Sequence, residues 1–228
     1  GQMSLGTGSL KSVSVSVGIA TGIYGISFGA LAISAGLDLW QTMALSLFMF
    51  SGGSQFAFVA VLATGSLAAL PAAITSAWLV GIRNGFYALS MAPKLGPRGL
   101  AKVLAAQLTI DESTAVSTSQ DTLKDQRQGF WWTGIAVFIF WNLATILGAT
   151  LASSFVSDPK VFGLDAAAAA ALFALVWPRL SKSVGLTIAL VSMFFSAVFS
   201  LSLPSGFPVI AGSLTAVAVG FFLERDRK

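Results

Sequence analysis

Residues 40 to 63 read Trp40-Gln-Thr-Met-Ala-Leu-Ser-Leu-Phe-Met-Phe50-Ser-Gly-Gly-Ser-Gln-Phe56-Ala-Phe-Val-Ala-Val-Leu-Ala63, an apolar run with a small polar segment at its centre. It carries no charge. At a rise of 1.5 Å per residue it is long enough for a hydrocarbon core of about 30 Å. Adjacent glycines cost a helix about 1 kcal/mol each relative to Ala, and amides they free find no partner in lipid. The segment Ser51-Gly52-Gly53-Ser54-Gln55 therefore predicts a broken membrane helix. Such breaks form solute sites, where N–H groups at a half-helix start face an anionic group. The alternative is a glycine-softened helix whose Ser and Gln bond a neighbouring helix.

The rest of the chain agrees with a lipid environment. Of its 228 residues 55% are hydrophobic and only 10% charged, against about 25% charged in soluble domains, and the mean hydropathy is +0.83. Apolar runs at 13 to 35, 40 to 63, 67 to 91, 129 to 154, 164 to 180, 183 to 203 and 206 to 223 predict an all-α polytopic membrane protein of about seven spans. The runs are long and unalternating, unlike barrel strands. The domain reading is a tail at 1 to 12, one transmembrane domain at 13 to 223 and a cytoplasmic tail at 224 to 228. Gly1-Gln2 ahead of Met3 reads as the remnant of a cleaved tag.

Basic residues orient the spans. With the N-terminus outside, ten lie inside, from Lys94, Arg98 and Lys102 to the C-terminal Arg225, Arg227 and Lys228; only Lys11 and Lys160 lie outside. Making 100 to 119 an eighth span leaves four outside against eight inside, so seven is preferred. The net charge of +4 is thus a loop property, and no basic stripe with stacking aromatics points to nucleic acid.

Four further features carry chemistry. Gly18, Gly22, Gly25 and Gly29 share one helical face, the spacing of a close-packing stripe in lipid. Arg83, followed by Asn84 and Tyr87, either snorkels to the inner interface or faces an interior cavity. There it pairs with Asp111 or Glu112, or holds a substrate carboxylate. The stretch Leu108-Thr-Ile-Asp-Glu-Ser-Thr114 sits between short helices and is expected to dip inward. Its carboxylates Asp111 and Glu112, with Thr109 beside them, suit proton coupling or a substrate ammonium group, or else mark a solvated helix N-terminus. Asn142, beside Trp141 in mid-span, needs a hydrogen-bond partner. Asp165 reads as an N-cap, and Pro178 interrupts a short fifth span.

Ser51 to Phe56 resembles a small-residue Ser-Gln-Phe break in the AzlC-type branched-chain amino acid permease family. Arg83-Asn-Gly-Phe-Tyr87 is similar to that family's Arg-x-x-x-Tyr segment, and Thr109-Ile-Asp-Glu112 to its Thr-Asp-Glu signature with one Ile interposed. Asn84 stands where many relatives carry His. The resemblance runs over about residues 15 to 223. It implies a multi-pass protein of the cell membrane (a bacterial inner membrane or plasma membrane) that exports leucine, isoleucine and valine, with methionine a further candidate. It also implies drive by the proton gradient and a small AzlD-type membrane subunit as partner.

The substrate-binding set expected is Ser51, Gly52, Gly53, Ser54, Gln55, Arg83, Asn84, Tyr87, Thr109, Asp111, Glu112 and Asn142. The break would take the carboxylate, and Asp111 or Glu112 the ammonium or the coupling proton. Neither Cys nor His occurs in the chain, which removes thiol nucleophiles, His bases and the commonest zinc ligands. No enzyme activity, metal or cofactor is expected. The rival readings are a scaffold or regulatory subunit for a partner transporter, or a channel for another small solute.

Overall fold

In a computed structural model the described residues are 7–155, 183–203 and 207–225, and their regular structure is all helical. α1 (Thr7–Gly22) and α2 (Tyr24–Ser34) run on as one apolar rod, interrupted only at Ile23. Asp38 opens α3 (Leu39–Phe48) with a capping box, its carboxylate accepting from the Gln41 amide at 2.7 Å. α4 (Gly52–Leu62) follows after three non-helical residues. A short 3₁₀ turn (Ser66–Ala69) leads into α5 (Leu70–Leu95), which ends where Gly96 adopts φ 55°, a left-handed cap that glycine takes without steric cost. α6 (Leu100–Gln107) and α7 (Asp111–Thr118) are short, and α8 (Leu123–Phe155) is the longest helix described. α9 (Ser183–Ser200) and α10 (Phe207–Arg225) pack on each other.

Among the described residues two stretches are long and apolar enough to cross a membrane, Ser9–Ser34 and Leu123–Ser154. They are also partners. α8 is the mast against which α1, α2, α3 and α7 pack, and the glycine stripe makes the first of these contacts. A Cβ on Gly18 would sit 2.6 Å from the Ala136 Cβ, and one on Gly25 2.6 Å from the Trp141 carbonyl oxygen. Gly29 and Gly148 touch backbone across the same seam. Without side chains between them the two backbones reach the close contact that replaces the hydrophobic drive in lipid.

Polar pairs are buried within the apolar core, and large apolar side chains also cover the outside. Ser14 meets Thr133 at 3.0 Å and Ser46 meets Thr145 at 3.2 Å, all four buried. On α5, by contrast, Ile74, Trp78, Ile82, Phe86 and Leu89 form one outward stripe, with Trp78 69% and Leu89 74% exposed. Large apolar faces of this kind mark surfaces that water does not cover.

Several expected boundaries move, and the first run is helical from Thr7 instead of 13. The break falls at Met49 to Ser51 rather than at Ser51 to Gln55, because Gly52 and Gly53 serve as the first turn of α4. The third run extends past residue 91 to Leu95, carrying Pro93 within its last turns, and α8 starts at Leu123 instead of 129. Residues 100 to 119 form two short helices broken at Leu108 to Ile110, not one continuous span. The run at 164 to 180, with Asp165 and Pro178, lies outside the described residues.

Candidate functional site

At the break the chain turns from Met49 (φ −97°, ψ 57°) to an extended Ser51 (φ −155°, ψ 101°). This leaves carbonyls at the end of α3 and amides at the start of α4 without intrahelical partners. The carbonyls are covered from within. Gln55 Nε2 donates to the Leu45 and Met49 oxygens at 3.1 and 2.9 Å, and Gln107 Nε2 donates to the Leu47 oxygen at 2.7 Å. Gln55 is 0% exposed, so it braces the break and does not reach the cavity.

The amides are left open. Among the described residues no side chain caps α4; the Ser51 hydroxyl pairs instead with the Ser54 hydroxyl at 3.0 Å. Ser51, Gly52 and Gly53 line a cavity of about 130 Å³, room for one small solute and too little for a peptide. Glycine gives the neighbouring side chains close access there. A Cβ on Gly52 would stand 3.0 Å from the Trp141 ring, and one on Gly53 2.6 Å from Arg83 Nη2.

Opposite the break stands the second unusual backbone element. Leu108, Thr109 and Ile110 are buried, and Ser113 closes the turn by donating to the Leu108 carbonyl at 2.6 Å while accepting from the Ile110 amide at 3.1 Å. Ile110 is extended (φ −129°, ψ 175°) and precedes α7, which begins on Asp111 and Glu112. Two helix starts, those of α4 and α7, thus open onto one cavity.

Arg83, near the middle of α5, reaches across to α7, and its Nη2 lies 2.8 Å from Asp111 Oδ2. The interior placement and the pairing with an acid follow the sequence reading. Glu112 is half-buried beside them, in the connection between α5 and α8 rather than in a spanning helix. Burial raises its carboxyl above the ordinary value of 4.5, and Asp111 adds to the rise; the backbone amide, Arg83 and the Thr21 hydroxyl offset only part of it.

The remaining wall is apolar. Trp141 stacks on Phe28 with centroids 6.2 Å apart and stands edge-on to Phe56 at 6.1 Å. Trp141 and Phe56 both face the cavity, together with Tyr24 and Val137. A second, larger groove of about 710 Å³ lies on the other side of the break and shares Phe50, Ser51 and Asn84 with the first.

Of the expected set, Ser51, Gly52, Gly53, Arg83, Asn84, Asp111 and Glu112 meet in this one cavity. Ser54 and Thr109 border the larger groove, and the Thr109 hydroxyl donates to the Ala105 carbonyl at 2.6 Å. Asn142 turns along α8 and donates to the Phe138 carbonyl at 2.8 Å, one helical turn back. Tyr87 is half-buried outside the cavity lining. Thr21, Tyr24 and Trp141 were not anticipated as site residues. Thr21, Tyr24 and Phe28 recur at i, i+3 and i+7 beside the glycine stripe, a periodicity that would have found them.

No curated protein and no solved structure matches the chain. The sequence model of the family described as AzlC protein matches residues 16–155, more than half of the chain and every element that lines the cavity, although the resemblance read from the motifs ran on to residue 223. On that match the chain belongs to the AzlC family.

Proposed function

We propose that this protein is a seven-span transporter of the cell membrane that exports branched-chain amino acids, coupled to the proton gradient and working with a small AzlD-type membrane subunit. The observation that carries the reading is the meeting of two helix starts, an Arg–Asp pair and an aromatic wall in a cavity of single-solute size. The AzlC family is associated with branched-chain amino acid transport. A half-helix start and a guanidinium suit a carboxylate, acidic groups suit an ammonium, and Phe56, Val137 and Trp141 suit an aliphatic side chain. Glu112 supplies the coupling proton. Its raised carboxyl holds a proton at pH values where an ordinary carboxylate has lost it.

The test is efflux of labelled leucine from proteoliposomes, with the protein alone and with its partner. Acidifying the compartment that leucine enters is expected to speed its release by wild-type protein. Glu112→Gln is expected to remove that pH dependence. Leucine release no faster than from protein-free liposomes, in both arrangements, contradicts the reading.

A further inference from the structure

Arg83 and Asp111 meet through one contact, although a guanidinium and a carboxylate can make two. Arg83 Nε and Asp111 Oδ1 are buried and have no hydrogen-bond partner among the described residues. Their side chains are still 35% and 38% exposed, so a solute in the cavity can reach them. An ion pair that only ties α5 to α7 gains by filling those valences, since desolvating two charges is offset only when the remaining donors and acceptors are satisfied. This pair leaves them open.

The surroundings show what fits. Because the missing Cβ of Gly53 leaves room for Arg83 Nη2, the guanidinium lies against the first turn of α4. A guanidinium and a helix start are both positive, and Asp111 is the anion in contact with the guanidinium. On the α7 side Asp111 carries the charge that meets the guanidinium, and Glu112, whose carboxyl burial raises, stands beside it. The cavity therefore has a positive pole at Arg83 and the start of α4, with the Asp111 carboxylate as the anion set against it. Trp141, 4% exposed and with an unpartnered Nε1, is a further donor in its wall.

We propose that the substrate enters as a zwitterion that parts the Arg83–Asp111 pair, its carboxylate replacing Asp111 on Arg83 and the α4 amides while its ammonium takes Asp111. The ion pair occupies in the empty protein the two positions that the substrate's charges take in the loaded one. This rests on the cavity being the amino-acid site, and it narrows the substrate class to molecules bearing both charges on one carbon. Branched-chain 2-oxo acids, fatty acids and simple amines bring one charge and leave the other half of the pair unpaired.

Binding of labelled leucine to the purified full chain, with competition by leucine methyl ester, 4-methylpentanoate and 4-methyl-2-oxopentanoate, separates the possibilities. Each singly charged competitor is expected to be at least about tenfold weaker than leucine, the loss of one charge-assisted contact. If any of them competes within about threefold of leucine, the zwitterion proposal is overturned while the amino-acid reading stands. If leucine itself does not bind, both fall. The double variant Arg83→Asp with Asp111→Arg restores a purely structural bridge but sets an anion against the start of α4. The expected result is a melting temperature near wild type with leucine binding lost; recovered leucine binding overturns the proposal. Should the double variant fail to fold, the competitor series on wild-type protein decides alone.

Discussion

Arg83→Gln is expected to reduce leucine flux by about a hundredfold and to destabilise the protein more at pH 8 than at pH 5. Removing one partner of a buried ion pair costs about 3–5 kcal/mol. Here solvent screens part of that cost, because the side chains are 35% and 38% exposed. About 2–3 kcal/mol of stability is expected to be lost; the fall in flux has its own cause, the lost charge-assisted contact to the substrate carboxylate, worth about 1.5–3 kcal/mol or up to about a hundredfold at about 1.4 kcal/mol per decade. The variant also leaves Asp111 and Glu112 side by side with no cation between them and the start of α4. Sign follows from Glu112, whose folded carboxyl is already raised. A raised carboxyl contributes stability below its unfolded value of about 4.5 and loses it as pH rises through the folded value. Taking away Arg83 removes one of the groups that oppose the rise, so the loss with increasing pH deepens. Flux in proteoliposomes and thermal melting at the two pH values give the readouts. Flux within threefold of wild type, or an equal loss of stability at both pH values, contradicts the assignment.

Gly29→Val is expected to be among the most damaging single changes outside the cavity. A Cβ at Gly29 meets the Thr145 carbonyl oxygen and comes within 2.7 Å of the Ala149 amide nitrogen. Both are backbone atoms of α8, so no side chain can swing aside and the helices must part. Overpacking costs about 1–3 kcal/mol when side chains can adjust; here the adjustment has to come from α8 itself, and the upper end or beyond is expected. Thr21 and Tyr24 ride on the same rod, so the cavity opens along that wall and flux falls as well. Gly85 is the control. Nothing lies within 4 Å of a Cβ there, and Gly85→Ala in mid-helix is expected to be neutral or to add up to about 1 kcal/mol. Melting of both variants in detergent checks the pair; equal melting temperatures would show that the seam at Gly29 is not tight.

The break, the glycine stripe and the interior arginine were legible because each violates what lipid ordinarily permits. Glycine pairs, a charge and a run of polar residues stand out in an apolar sequence. Periodicity names a face but not the helix opposite it, so Arg83 had two candidate partners until α7 was placed against α5. Polarity also misled. Asn142 drew attention as the group needing a partner, yet neighbouring positions on a helix point about 100° apart, and it is Trp141 that faces the cavity. Gln55 was read as a ligand because it is polar at mid-depth. That same polarity is spent on the Leu45 and Met49 carbonyls at the end of α3, each of which also accepts a backbone amide. Thr21 and Tyr24 were masked by the glycines beside them, whose spacing already had an explanation.

The account turns on a solute cavity at the break between α3 and α4, and the chain contains no cysteine, so a single thiol reports on one place. Ser51→Cys in proteoliposomes, treated with a membrane-impermeant thiol reagent with and without saturating leucine, tests it directly. Leucine is expected to slow labelling at position 51 by about tenfold or more and to leave Asp121→Cys, in the exposed turn before α8, unchanged. Labelling of position 51 at the same rate with and without leucine contradicts it.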